Sequence, residues 1–412
     1  MKNKVFVLPL IKLTLLYGLT PFSLLADPAW NNEKLTGDWG GLRSSLSDSG
    51  FDVNADYTSY YQQVISNGTE HSGDLAHRVD IQTRLDSNKL GLWDGGSLHS
   101  QFVYRNGKAN DFDFPVLSLP NAAFYGGSND SFISAMYYSH KFDNDSMLML
   151  GKIDAFELLR NSPFYGGAGK SGFNNVAFVA PPSGVTPPAF FGLISSFASK
   201  GLDWTIMVYD PRDRYTDSLS FDDLFKDGVN TAVSATHQFS IFDRVSSLGF
   251  SATYSTEEGV DLSSLQPGLI FTETKKNKYN VRLQFSHHLA EEPENSDNSW
   301  GVYLRGAIAD GNPNMFSGTF AGGFGGKALF FGRPSDDWGI GYYYYNFSND
   351  LQKRIQELNM TPSVENEQGV EIYYSYQVLP WLKIKADIQH LKPTLNHDKN
   401  QTITTLSANV SL

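Results

Sequence analysis

The chain has 412 residues, 32 Lys and Arg against 44 Asp and Glu, a net charge of −12, no cysteine, 37 glycines and 14% aromatic residues. The acidic balance argues against a nucleic-acid-binding face, and the absence of cysteine excludes thiolate metal sites, thiol nucleophiles and disulfides. Mean hydropathy is −0.31, and beyond residue 26 no apolar run approaches the roughly 18 residues of a membrane helix, whereas alternating membrane strands average out to a polar chain.

Met1–Lys12 carries Lys2, Lys4 and Lys12 and no acid, Leu13–Leu25 is a short apolar stretch, and Ala26-Asp27 follows. This predicts an export signal over residues 1–26, cleaved after Ala26. A membrane anchor is the alternative, for which the apolar run is short. Residues 27–52 are predicted as a periplasmic segment with one short helix. There Asp38 can act as its cap, Trp39, Leu42 and Leu46 share a face, and Gly50 suits the end.

From Val53 onward the apolar stretches alternate with period two. Val79, Ile81, Thr83 and Leu85 alternate with Arg78, Asp80, Gln82 and Arg84, and Val281, Leu283 and Phe285 with Asn280, Arg282, Gln284 and Ser286. Near the C-terminus, Val370, Ile372, Tyr374 and Tyr376 alternate with Glu371, Tyr373, Ser375 and Gln377, and Leu382, Ile384, Ala386 and Ile388 with Lys383, Lys385, Asp387 and Gln389. Sixteen such strands are predicted, beginning near Val53, Arg78, Ser97, Ser131, Met147, Ala189, Leu202, Gly228, Val245, Tyr279, Trp300, Thr319, Asp337, Gly369, Trp381 and Thr402. A tilted membrane strand takes roughly 9–11 residues, which leaves about a dozen for each connection.

The connections largely alternate in length. Lys141–Ser146, Ser199–Gly201, Phe239–Arg244 and Leu379-Pro380 are short, while Asn106–Asp130, Asp154–Pro188, Pro211–Asp227, Thr256–Lys278 and Ser348–Gln368 are long. Tight periplasmic turns and long outer loops produce this pattern. The predicted fold is all-β: a 16-stranded antiparallel transmembrane β-barrel over residues 53–412 with a short N-terminal periplasmic helix. A soluble multi-sheet protein is the alternative, but it would need more charge on its polar faces. Trp204, Trp300, Trp338, Trp381 and Tyr342–Tyr345 fall near strand ends, where interfacial aromatic girdles would place them.

The segment Leu35-Thr-Gly-Asp-Trp-Gly-Gly-Leu-Arg43 resembles the N-terminal signature of the carbohydrate-selective porins of the OprB family. The likeness continues through Tyr209-Asp-Pro-Arg-Asp-Arg-Tyr215, Asp222–Gly228, Trp300–Gly311, Gly339–Asn346 and Tyr373–Trp381. The resemblance implies an outer-membrane barrel for passive sugar uptake, the alternative being a general or organic-acid/iron-related porin on the same barrel; no convergent Ser/His/Asp set is seen, so neither enzymatic activity nor a cofactor is expected. Expected partners are sugars or similar small polar solutes, outer-membrane lipid and lipopolysaccharide, and the barrel assembly machinery, as a monomer or homo-oligomer. One departure is the terminal Leu412, where such barrels usually end in Phe.

In a barrel the polar face of each strand points inward. The strand phases therefore direct Arg78, Asp80, Arg84, Arg105, Lys152, Asp154, Arg282, Arg305, Glu371, Lys383, Lys385 and Asp387 to the lumen. With Glu157 and Arg160 from the longest loop, this is a lining of both signs, unlike the single-sign ring of a strongly ion-selective pore. Mixed charges hydrogen-bond neutral polyols, or else brace one another across a wet wall. Arg78 and Arg84 are expected to reach the axis as a solute-contacting line, and their joint replacement by Ala to leave folding intact. The Asp154–Pro188 connection, rich in Phe, Tyr and Gly, is expected to fold into the barrel and narrow it, the alternative being that it lines the outer surface or meets a neighbouring barrel. Gly322-Gly-Phe-Gly-Gly-Lys327 lacks the phosphate-loop spacing and reads as a strand with a bend or a close backbone approach. His287 and His288 lie on opposite strand faces and cannot chelate together, and no metal or catalytic constellation is present.

Overall fold

The computed structural model describes residues 32–412 apart from 67–68, 71–72, 112–115, 181–183, 218, 220, 293–294, 362 and 396–399. The expected export signal, residues 1–26, lies outside the described residues. Sixteen long antiparallel strands form one closed barrel. In chain order they are β1 Phe51–Ser66, β2 Asp74–Asp86, β3 Gly96–Gly107, β4 Asp130–Lys141, β5 Met147–Asp154, β6 Ala189–Ser199, β7 Leu202–Tyr209 and β8 Asn230–Ile241. They continue as β9 Arg244–Ser255, β10 Lys278–Glu292, β11 Asn295–Ala309, β12 Phe316–Ala328, β13 Arg333–Phe347, β14 Glu367–Leu379, β15 Leu382–Lys392 and β16 Gln401–Ser411. Each strand pairs with its sequence neighbours, and β1 closes the ring on β16, from Asp56 opposite Ser411 to Val64 opposite Ile403. Closure leaves no unpaired strand edge, the condition for β-structure in hydrocarbon.

The predicted strands are all present, with onsets displaced by up to a few residues. The largest displacement is β11, which starts at Asn295 rather than Trp300. Asn295–Ser299 is polar and reads as a turn, yet it continues the β10–β11 hairpin, with Glu291 opposite Ser299. Side-chain phase follows the predicted alternation. Leu283, Ile308, Ile372, Ile388 and Leu406 lie exposed on the outer surface, while Arg78, Asp80, Arg305, Glu371 and Lys385 are buried inside.

Short turns gather at one end and long loops at the other. Lys200-Gly201 and Phe242-Asp243 each carry positive φ at both positions, the turn geometry that matches the twist of paired strands. At the short-turn end Trp300, Trp338 and Phe330 cluster, with ring centroids 5.7 Å apart for Trp300 and Trp338 and 5.0 Å for Phe330 and Trp338. Tyr342–Tyr345 depart from the expected girdle: Tyr343 and Tyr345 are fully buried inside the barrel, because four consecutive strand residues must alternate faces.

The N-terminal helix spans Leu42–Asp48 after a 3₁₀ turn at Trp39–Gly41. The Asp38 carboxylate accepts hydrogen bonds from the Ser44 backbone N–H and hydroxyl, each at 2.9 Å. The expected apolar face is not buried, since Trp39 and Leu42 are exposed and Arg43 stacks over Trp39 at 4.3 Å. The segment is fastened instead by polar contacts to the strand end. The Leu35 N–H donates to the Ser411 carbonyl at 2.8 Å, and Arg43 donates to the Leu412 carbonyl at 2.9 Å.

The phase assignment has a direct test on adjacent residues of β10. Leu283→Arg, on the outer face, should cost about 2–4 kcal/mol in urea unfolding from phospholipid vesicles. Gln284→Arg, on the inner face, should cost markedly less; equal costs would refute the assigned faces.

Candidate functional site

The interior is built around the loop between β5 and β6, whose residues 155–180 enter the barrel and pack against β11–β14. Its Phe164, Phe173 and Phe178 are large apolar groups with no stable place in water. Glycines make room for them on the inner wall. A Cβ at Gly301 would stand 2.6 Å from the Phe164 ring, one at Gly339 2.8 Å from the Phe173 ring, and one at Gly341 2.5 Å from the Phe178 ring. A Cβ at Gly325 would stand 2.6 Å from the Phe164 carbonyl oxygen, so the glycine-rich run of β12 marks a close backbone approach. Phe173 meets Tyr373 edge-on at 4.9 Å, and Phe178 meets Tyr343 edge-on at 5.9 Å. Such contacts add about 0.5–1.5 kcal/mol per pair beyond area burial.

Charged wall residues capture the backbone of the inserted loops. Glu371 accepts the N–H groups of Asn174 and, at 2.9 Å, Asn175. Arg305 donates to the carbonyls of Ala177 at 3.0 Å and Phe178 at 3.1 Å and lies 4.1 Å over the Tyr165 ring. Lys385 donates to the Gly172 carbonyl and to Asn174 Oδ1, both at 2.7 Å. Glu367 holds the 108–129 loop in the same manner, accepting from Leu117 N at 2.7 Å and Ser118 N at 2.9 Å. The two loops join where Val176 N donates to the Leu119 carbonyl at 3.0 Å and Ala122 N to the Asn174 carbonyl at 2.8 Å.

The residues expected to line the lumen thus fall into three groups. Arg78, Asp80, Arg105, Asp154, Arg305 and Glu371 point inward but are covered by the inserted loops. Arg78 forms a bidentate pair with Asp80 at 2.9 and 2.7 Å and also donates to the Ala123 carbonyl. Arg105, directly opposite Arg78 in the β2–β3 register, pairs with Asp130 at 2.8 and 2.6 Å. Asp154 caps the single helical turn Ala155–Leu158, accepting from Phe156 N at 2.9 Å and Glu157 N at 3.3 Å. The expectation that Arg78 is a solute contact dispensable for folding is therefore corrected. Its loss would remove the bidentate partner of a buried carboxylate and leave Lys170, at 3.3 Å, and Gln101, at 3.0 Å, to hold Asp80.

A second group borders spaces on the short-turn side of the inserted loop. Arg84 pairs with Asp86 at 2.8 Å and shares a cavity of about 340 Å³ with His99, Glu157 and Arg160. Glu157 is itself fixed by Lys170 at 2.7 Å and Arg160 at 3.4 Å. Lys327, Asp337 and Lys383 border a neighbouring cavity of about 610 Å³.

Arg282 stands apart from both groups. It lines a passage of about 870 Å³ between the inserted loop and the opposite wall, β5–β10. The passage runs from Met147, Ser196 and Thr205 beside the short turns to Arg212, Glu257 and Lys278 at the long loops. Met149, Phe156, Phe190, Ile194 and Met207 give it an apolar stretch, and Ser251, Thr253, Asn280 and Arg282 a polar one. Near the long-loop end, Asp213 bonds the Tyr125 hydroxyl, and burial pushes its carboxyl above the usual range. Sequence reasoning missed Ser251, Thr253 and Asn280 because their phase placed them inside but nothing local said which arc of the wall stays open.

Residues 229–411 match the family model described as carbohydrate-selective porin, OprB family. Among curated relatives, QuiX of Acinetobacter baylyi, named as a porin, is 20% identical, covering 89% of this chain and 90% of its own. Porin B of Pseudomonas aeruginosa is 19% identical over 88% of this chain and 87% of its own. The high-pH structure of Pseudomonas putida OprB superposes with a TM-score of 0.78 at 19% identity, covering 93% of this chain and 99% of that one. The resemblance to the OprB family is thereby borne out, as is the 16-stranded barrel.

The docking of the inserted loop can be undone at its tethers. Glu371→Ala leaves two backbone N–H groups without their acceptor, at about 1–3 kcal/mol each. Combined with Lys385→Ala, it should release the loop from the wall. The double variant should show higher single-channel conductance and tryptic cleavage at Lys170, where the wild-type barrel resists. Unchanged conductance with full resistance would mean that the packing of rings on glycines holds the loop alone.

Proposed function

We propose that this chain, on the strength of its likeness to the OprB family, is a porin of the bacterial outer membrane that passes small polar solutes by passive diffusion and favours carbohydrates. The observation that carries this reading is the passage along β5–β10, whose lining extends from residues beside the short turns to residues at the long loops. Its rim charges are mostly paired: Lys278 bonds Glu257, and Arg212 pairs with Asp210 at 2.7 Å. Paired charges at the rim supply donors and acceptors to hydroxyl groups without adding a net field there. The apolar stretch suits the C–H faces of a sugar ring. Contacts in a hydrated passage are each worth about 0.5–1.5 kcal/mol net, so solutes bind loosely enough to leave.

In this reading the long loops face the exterior and the short turns the periplasm. The exposed apolar outer face meets lipid and lipopolysaccharide, and the chain reaches the membrane through the barrel assembly machinery. The passage acts by shape and solvation, with no chemistry performed on the solute.

Two measurements test the reading. Liposomes carrying the purified protein should swell faster in a neutral monosaccharide than in a similar-sized zwitterion, and protein-free liposomes should do neither. An epitope inserted at Gly259 should label on intact cells while one at Asp243 stays silent. Failure to swell would overturn the porin reading, and the reverse labelling would overturn the orientation.

A further inference from the structure

We infer that Arg282 makes the passage an anion-recognising one, whose preferred solute is a hydroxylated monocarboxylate, a sugar acid, ahead of the neutral sugar. The inference rests on the porin reading above and deepens it.

The argument begins with charge pairing around the passage. Lys278 is bonded to Glu257, and Arg212 lies 2.7 Å from Asp210 and 3.7 Å from Asp227. Asp213, which borders the passage without a cation, is occupied by the Tyr125 hydroxyl. Arg282 is different. Among the described residues it makes no ion pair and no side-chain hydrogen bond, and its Nε is buried without a partner. Its charged neighbour on the same inner face is Arg305, and among the described residues no carboxylate lies within ion-pair distance of it.

Strand register explains the pairing of like charges. Arg282 lies opposite Ser251 on β9 and opposite Ala307 on β11, and Arg305 follows two residues along that same inner face. Arg305 is spent on the carbonyls of Ala177 and Phe178, so it lends positive potential without neutralising anything. Two guanidinium groups thus share one inner face, and among the described residues no carboxylate pairs with Arg282.

A guanidinium partly covered by the wall and left without a counter-ion is under-satisfied, and a solute carboxylate in the passage can meet it through two parallel N–H···O bonds. Neighbouring Ser251, Thr253 and Asn280 offer donors and acceptors to hydroxyl groups on the same solute. Ile194 and Met207, across the passage, can receive its C–H face. A wall-bracing role would require a partner on the loop or the wall, which Arg282 lacks among the described residues, while every buried arginine assigned above to bracing has one.

Planar-bilayer recordings on the full barrel decide the matter, with gluconate, glucose and acetate as probes of the chloride current. In the wild type, gluconate should block at concentrations at least tenfold below glucose, and acetate should block less than gluconate. Arg282→Gln should erase the advantage of gluconate over glucose. Arg282→Lys should retain the sign of the reversal potential but weaken gluconate block several-fold, since lysine keeps the charge and loses the fork. Equal block by gluconate and glucose in the wild type, or an undiminished gluconate preference in Arg282→Gln, would overturn the proposal. Equal block by acetate and gluconate would overturn the sugar-acid assignment. Should Arg282→Gln fail to form a heat-modifiable barrel, wild-type-strength gluconate block in Arg282→Lys serves as the overturning result. A wild-type barrel with no conductance at all would instead overturn the porin reading itself.

Discussion

The interior depends on one constraint: a polypeptide loop drawn into a closed barrel must find partners for its backbone N–H and C=O groups. The wall supplies them with charged side chains. Glu371 and Glu367 accept N–H groups, while Arg305 and Lys385 donate to carbonyls. Each of these residues serves a second need at the same time. A carboxylate buried in the wall is itself costly, and a pair of backbone N–H groups is among the few neutral partners that satisfy it without adding a counter-charge. The wall charges and the loop backbone therefore solve each other's desolvation problem, and neither arrangement would be stable alone.

The same constraint makes the lumen asymmetric. Tethers and glycines concentrate on β11–β15, so the loop lies against that arc, and the aromatic rings fill the hollows the glycines leave. The other arc, β5–β10, keeps its inner face open. On β2 and β3 the pairs of Arg78 with Asp80 and Arg105 with Asp130 lie beneath the 108–129 loop and close that side as well, with Arg78 and Arg105 both reaching the Ala123 carbonyl. The passage along β5–β10 is thereby displaced toward one arc of the wall.

Most of the frame was legible in the sequence because membrane strands are read by period two alone. Burial outside and wetness inside impose the alternation on every strand, so Val281–Ser286 and Val370–Gln377 declare both their structure and their facing. The interior was less legible, for a physical reason. The phase that directs Arg78 and Arg282 inward is identical, yet one is buried under a loop and the other borders open space. That difference is set by a loop contact distant in sequence, which periodicity cannot encode. Tyr342–Tyr345 failed as a girdle through the same rule that made the strands readable, since consecutive residues cannot share a face. The glycines of β12 were visible as an oddity, and only their aromatic occupants explain them.

The grip on the inserted loop has a consequence for how such a protein can change. The wall holds the loop at Gly172, Asn174, Asn175, Ala177 and Phe178, in most cases by backbone atoms. Of the loop residues that border the passage, the run Gly184–Pro188 lies downstream of that grip. Backbone bonds are indifferent to side-chain identity, so a substitution at Val185, which the wall holds by its carbonyl through Asn230, can alter the passage without loosening the anchor. Over this run anchorage and selectivity are separated along the chain, and a single barrel can be retuned to a different solute through a few neighbouring codons.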